Sequence, residues 1–103
     1  MEKYHLIITS FAQSDIAECV RFVLRVSKDA AITLANDIYR AINSLETFPE
    51  RNSVFEMPKA FPFIVRKHII NNRYIALYTV ENNSVVIYRV IDSRRKFNHL
   101  LYK

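Results

Sequence analysis

The 103-residue sequence contains no glycine, only three prolines and a single cysteine. Without glycine, any backbone position that needs a positive φ falls to the next most tolerant residue, asparagine. Two asparagine pairs, Asn71-Asn72 and Asn82-Asn83, stand between apolar runs where such positions are expected. The same absence removes the glycine-built loops that cradle phosphates, Walker-type and dinucleotide-type alike, and so argues against a nucleotide-dependent enzyme. A lone Cys19 excludes an internal disulfide and fits a reducing cytoplasm. The apolar run Leu6-Ile7-Ile8 is too short for a signal-peptide core, and no stretch reaches membrane-spanning length. A cytoplasmic protein with no membrane partner is therefore expected.

Half the residues are hydrophobic and 24% are charged, a balance that implies a globular chain. Its length suits one domain, residues 1–103, with a modest core. A net charge of +5 and a pI near 9.6 suit an anionic partner, either nucleic acid or an acidic protein segment.

Tyr4 to Thr9 is β-prone. Ser10 and Gln13 have capping-box spacing, which predicts a helix starting at Ser10. Ala12, Ile16, Cys19, Val20 and Val23 recur at helical spacing, with Asp15, Glu18, Arg21 and Arg25 assigned to the solvent side. Cys19 on that stripe reads as a small core hydrophobe. Ser27 can cap a second helix, with Ala31, Leu34, Ala35, Ile38, Ala41, Ile42 and Leu45 as its apolar stripe. The short link predicts an antiparallel helical hairpin. Its scattered carboxylates show no metal-ligand spacing, and neither a metal nor a cofactor is expected. Glu50 to Pro62 reads as an ordered loop. Ile64–Ile70, Arg73–Glu81 and Ser84–Asp92 read as strands joined through the asparagine pairs, and Arg94–Lys103 as a short helix or tail. The expected fold is α+β of order β-α-α-β-β-β, a helical hairpin packed on a small antiparallel sheet.

Several pieces together resemble the toxins of the ParE/RelE superfamily of bacterial type II toxin–antitoxin modules. They are the element order, the Phe48-Pro49-Glu50-Arg51 step, the Arg73-Tyr-Ile-Ala-Leu-Tyr-Thr-Val-Glu strand and the Asp92-Ser-Arg-Arg-Lys-Phe97 ending. The resemblance implies a growth-inhibiting, plasmid-stabilising toxin neutralised by a cognate acidic antitoxin. It also implies one of two targets. RelE-like members are ribosome-dependent mRNA endoribonucleases; ParE-like members poison DNA gyrase and lack the nuclease residues.

Cleavage by a ribose 2′-OH needs a base, an acid and cations around the phosphorane. RelE-like enzymes place two lysines two apart on the second strand, an arginine opening the third, and an arginine after the fourth. The matching positions here hold Arg66, His68, Ile75 and Arg94, with Arg73 close to the vacated third place. Arg66, His68 and Arg94 are thus the catalytic candidates if the chain is a nuclease. His68 would be its titratable group. If the chain meets a polyanion or an acidic antitoxin through its sheet edge, Arg94 and Arg95 should lie exposed beside Arg66 and His68. Arg73, Arg94, Arg95, Lys96, His99 and Tyr102 are the candidates for binding target or antitoxin. The helical hairpin, the Phe-Pro-Glu-Arg step and the Asp-Ser-Arg-Arg ending are nearer to the ParE-like branch, so enzymatic activity is left open. Plainer roles fit as well. Arg66 and His68 alternate with Val65 and Ile69 and suit the solvated face of a half-buried strand. The Arg94–Lys96 cluster suits a charged sheet edge, and His99 and Tyr102 suit an inert terminus. Tyr74, Tyr78 and Tyr88 suit cross-strand packing. A non-toxic RNA-binding module of the RRM type would need its helices and strands to alternate, and they do not.

Overall fold

The computed structural model describes residues 3–56 and 62–94. Strand β1 (His5–Ile8) leads into helix α1 (Ser10–Leu24), and a short link leads on to helix α2 (Lys28–Asn43). Two 3-10 turns follow, Ser44–Glu46 and Pro49–Arg51, and then strands β2 (Arg66–Ile70), β3 (Tyr74–Glu81) and β4 (Ser84–Asp92). Arg95 to Lys103, including the expected helix or tail, lie outside the described residues.

Both helices start where a side-chain oxygen accepts an orphan amide. Ser27 accepts from Ala30 N at 3.1 Å, as its position predicts. The first cap lies one residue earlier than the capping-box spacing indicated. Thr9 is the extended residue, and its Oγ1 accepts from Ala12 N, while Ser10 is already helical. Gln13 reaches back to Ile8 O rather than to the cap amide. The apolar stripes turn inward as the periodicity predicts. Ala12, Ile16 and Cys19 of α1 meet Leu34, Ile38 and Ile42 of α2 over Tyr74, Ala76, Tyr78, Val85 and Ile87 of the sheet. Ile38, Ile42 and Leu45 are fully enclosed, and each such side chain contributes roughly 1.5–3 kcal/mol by leaving water.

The sheet has the order β1-β4-β3-β2. The last three strands form the expected antiparallel meander. The sheet as a whole is mixed, because β1 runs parallel to β4 with His5 opposite Ser84 and Ile8 opposite Ile87. Tight turns force antiparallel pairing, but β1 reaches β4 through the whole helical hairpin and is free of that constraint.

Asparagine takes the positive-φ work. Asn71 (φ 54°) and Asn72 (φ 55°) turn the chain between β2 and β3, closed by Arg73 N bonding to Ile70 O. Asn82 (φ 53°) opens the two-residue link between β3 and β4; Asn83 does not share its sign. Tyr88 is an extra residue in β4, since Arg89 faces Leu77 while Ile87 faces Tyr78. This bulge shifts the alternation, so that Val85, Ile87 and Val90 join the core under the helices while Ile91 packs with Val65 and Leu77 on the other side.

Beyond Ile8 no strand among the described residues covers the edge of β4, and Thr9 and α1 take over. Thr9 Oγ1 donates to Tyr88 O at 2.9 Å, and Asp15 Oδ2 accepts from Val90 N at 3.0 Å. The same carboxylate receives Arg89 Nε at 2.7 Å and Arg89 Nη2 at 3.0 Å, a two-pronged pair that is mostly buried. That bond outweighs the cost of burial and raises the pKa of Arg89 further. Asp15 is therefore not on the solvent side of α1 as its spacing suggested.

Candidate functional site

The chain leaves α2 through a turn built around one arginine. Arg51 Nη1 donates to the carbonyls of Ser44, Thr47 and Phe48, and Nη2 to Ser44 Oγ. The last carbonyls of a helix lack partners within it, and this guanidinium supplies them. Phe48 sits inside the turn in the left-handed region (φ 47°, ψ 53°), a conformation that costs a bulky residue about 1–2 kcal/mol. Its ring nevertheless stands 64% exposed.

Asn52, just past this turn, gathers the second-strand candidates. The single proton of Tyr78 goes to Pro49 O, so its hydroxyl oxygen accepts from Asn52 Nδ2 at 3.1 Å. That orients the Asn52 amide, and the same nitrogen must then donate to His68 Nδ1 at 3.0 Å. His68 is consequently the neutral tautomer with its proton on Nε2 and its basic lone pair occupied. Burial, and next the positive charge of Arg51, hold its pKa below the ordinary histidine value. Arg66 Nη1 donates to Asn52 O at 2.8 Å. Burial likewise raises the pKa of the Tyr78 hydroxyl, partly offset by the Asn52 bond and by Arg51 and Arg66.

The alternation of β2 is the reverse of the sequence expectation. Arg66, His68 and Ile70 pair with Tyr78, Ala76 and Tyr74, the face that carries the core, and are half-buried or buried. Ile69 points the other way and is 56% exposed. The polar pair is tolerated on the inner side because the 49–52 turn, not a helix, covers that end of the sheet.

Arg73 and Arg94 form a separate corner. Asp92, with its side chain only 12% exposed, takes Arg73 Nη2 at 3.2 Å on one oxygen. Its other oxygen lies 3.5 Å from Arg94 Nε and accepts the Arg94 amide at 3.0 Å. Arg73 also lies over the Tyr74 ring at 5.1 Å. This corner borders a hollow of about 390 Å³ walled by Cys19, Phe22 and Tyr74.

The register separates the two groups. Asp92 aligns with Tyr74 and, through it, with Ile70, so Arg94 lies beyond the β2 end while His68 and Arg66 lie back along the strand. At ~3.3 Å per residue and ~4.8 Å per strand, Arg94 is roughly 16 Å from His68 and roughly 22 Å from Arg66 along the backbone. The expected meeting of Arg94 with Arg66 and His68 is not formed. Arg95, Lys96, His99 and Tyr102 fall outside the described residues. Among the described residues no cluster of three His, Cys, Asp or Glu is arranged to hold a metal, and no helix is long and apolar enough to cross a membrane.

Residues 6–97 match the sequence profile of the ParE toxin of type II toxin–antitoxin systems, parDE. The chain belongs to the ParE toxin family. The same architecture occurs in a chromosomal ParDE toxin–antitoxin system from P. aeruginosa, at TM-score 0.70 and 18% identity over 87% of this chain and 96% of that one. It occurs as well in the toxin–antitoxin complex RelBE2 from Mycobacterium tuberculosis, at TM-score 0.58 and 20% identity over 89% and 93% of the two chains. Comparison with curated proteins finds no match.

In this ParE-family toxin, three site residues escaped the sequence reading: Asn52, Arg51 as a helix cap, and Asp92 as the shared counter-ion. The Phe-Pro-Glu-Arg step marked the neighbourhood of Arg51 and Asn52, and the Asp-Ser-Arg-Arg ending that of Asp92, but an asparagine in a loop carries no signal of the strand it will bind. The neutral state of His68 has a measurable consequence. Its folded pKa lies below its unfolded value, so as pH falls through the unfolded value the unfolded chain takes the proton first. Stability contributed by this site is therefore full above about pH 6.5 and declines on acidification. Urea unfolding between pH 7.5 and 5 should show a steeper acid loss for the wild type than for His68→Gln; equal slopes would contradict the neutral assignment.

Proposed function

We propose that this ParE-family toxin inhibits growth by acting on DNA gyrase, and that a cognate acidic antitoxin neutralises it. One observation supports this target above the others: the basic lone pair of His68 is engaged by Asn52, and its pKa is lowered. A general base must be able to accept the 2′-OH proton, and the lone pair of this one is already engaged by the Asn52 amide. Arg66 stays protonated and cannot replace it. Arg94, the cation that would steady the phosphorane, stands at the other corner beside Asp92. The net charge of +5 favours an acidic partner segment, and both similar structures are toxin–antitoxin complexes. The cytoplasm, where gyrase works, is the compartment this reading requires.

Induced expression with two readouts tests the target. Gyrase-linked DNA breakage should rise, ribosome-bound mRNA should stay intact, and His68→Ala at matched soluble level should remain toxic. Cleaved mRNA that disappears in His68→Ala would establish the RelE-like alternative instead.

A further inference from the structure

Four non-glycine residues among those described hold a positive φ, and three are asparagines; the fourth is Phe48. Asparagine takes this conformation readily, and phenylalanine does not. The fold gains little from the ring, which is 64% exposed. Its backbone is nonetheless held firmly, because both the amide and Nη1 of Arg51 bond to Phe48 O. The result is an aromatic side chain carried into solvent from a fixed backbone position, lining a cleft of about 810 Å³. Lys3, Tyr4, His5 and Asn83 form one wall, and the 48–51 turn forms the other.

We infer that this cleft docks the toxin's protein target, receiving an apolar side chain of that partner flanked by carboxylates. The inference rests on the reading that the target is a protein. Strained, exposed positions gather where a molecule makes contacts, and preordered aromatic anchors lose little freedom on binding. The cleft volume is enough for one or two large side chains. Phe48, Tyr4 and Pro49 supply its apolar lining, and Lys3 and Arg51, two cations against Glu50, leave its surround net positive. That surround favours carboxylates on the partner. The apolar lining of Tyr4, Phe48 and Pro49 suits an apolar side chain and offers nothing to a continuous phosphate backbone, which favours a protein over a nucleic acid.

The variant Phe48→Asn separates a docking ring from a structural one, since asparagine accepts the same backbone and removes only the ring. The full chain is to be tested as wild type, Phe48→Asn and Phe48→Tyr, for thermal midpoint, growth arrest, capture by its antitoxin and binding to purified gyrase. Phe48→Asn should keep its midpoint or gain up to roughly 5 °C through relieved strain. Its binding to gyrase should weaken by at least about 10-fold, as for an anchor residue. Growth arrest should fall with it, antitoxin capture should persist, and Phe48→Tyr should behave as wild type. Undiminished toxicity of Phe48→Asn would overturn the inference. So would a midpoint lowered by more than roughly 5 °C, which makes the ring structural. Loss of antitoxin capture would assign the cleft to the antitoxin and refute the proposal. If wild type does not bind gyrase, the target reading fails by itself. The cleft is then judged on growth arrest, which must still be lost in a folded Phe48→Asn for the docking role to survive.

Discussion

Asp15→Ala should destabilise the fold by about 2–4 kcal/mol, more than a typical surface change, because one carboxylate serves three donors. Its loss removes the two-pronged partner of the Arg89 guanidinium and the acceptor of the Val90 amide. Both charged side chains are largely withdrawn from water, 14% exposed for Asp15 and 23% for Arg89, so solvent offers only partial compensation. Arg89→Ala should cost less, since Asp15 still has the Val90 amide. The double variant should be more stable than the sum of the single losses implies, by about 1–2 kcal/mol of coupling. Urea denaturation at neutral pH, with slopes unchanged between variants, measures all three. A loss below about 0.5 kcal/mol for Asp15→Ala would place this pair among surface ion pairs of negligible worth.

The same residue shows where sequence reasoning reaches its limit. Ile16 and Cys19 betray their burial by helical spacing, and the neighbouring Asp15 was assigned to solvent by the same rule. That rule knows only the inward and outward faces of a helix. It does not know that β1 ends at Ile8 and leaves the flank of α1 against the edge of β4. The Tyr88 bulge was equally silent, because no glycine or proline marks it. In β2 the alternation of Arg66 and His68 with Val65 and Ile69 was visible, but which side faced the core was not. That depended on Asn52 arriving from a loop to satisfy two polar side chains. Local signals fared better. Ser27, the helical stripes, the three-strand meander and the left-handed Asn82 were all legible, since each depends on neighbours within a few residues.

The candidate site divides along the same line. The Phe-Pro-Glu-Arg step and the terminal arginines could be found by residue pattern, whereas their separation into two corners follows from register alone. His68 and Arg66 belong to a satisfied polar network under the 49–52 turn. Arg73 and Arg94 belong to a cationic corner in which, among the described residues, both share the counter-ion Asp92. Two guanidiniums against one carboxylate leave a net positive charge there, and Arg73 Nε is buried without a partner among the described residues. Such an arrangement is under-satisfied in isolation and improves when an anionic group arrives.

Arg94→Ala should therefore abolish growth arrest while leaving the fold intact. The Arg94 side chain is 60% exposed, and an exposed ion pair of this kind contributes only ~0–1 kcal/mol to stability. The thermal midpoint should accordingly shift by no more than roughly 4–8 °C. Arg94→Lys keeps the charge but not the planar fork, so partial toxicity in that variant would indicate a demand for charge, and complete loss a demand for two-pronged bonding. His68→Ala provides the contrast, with toxicity retained if gyrase is the target. Growth curves after induction, at matched soluble protein, decide the matter. Full toxicity of Arg94→Ala would show that growth arrest does not depend on this corner.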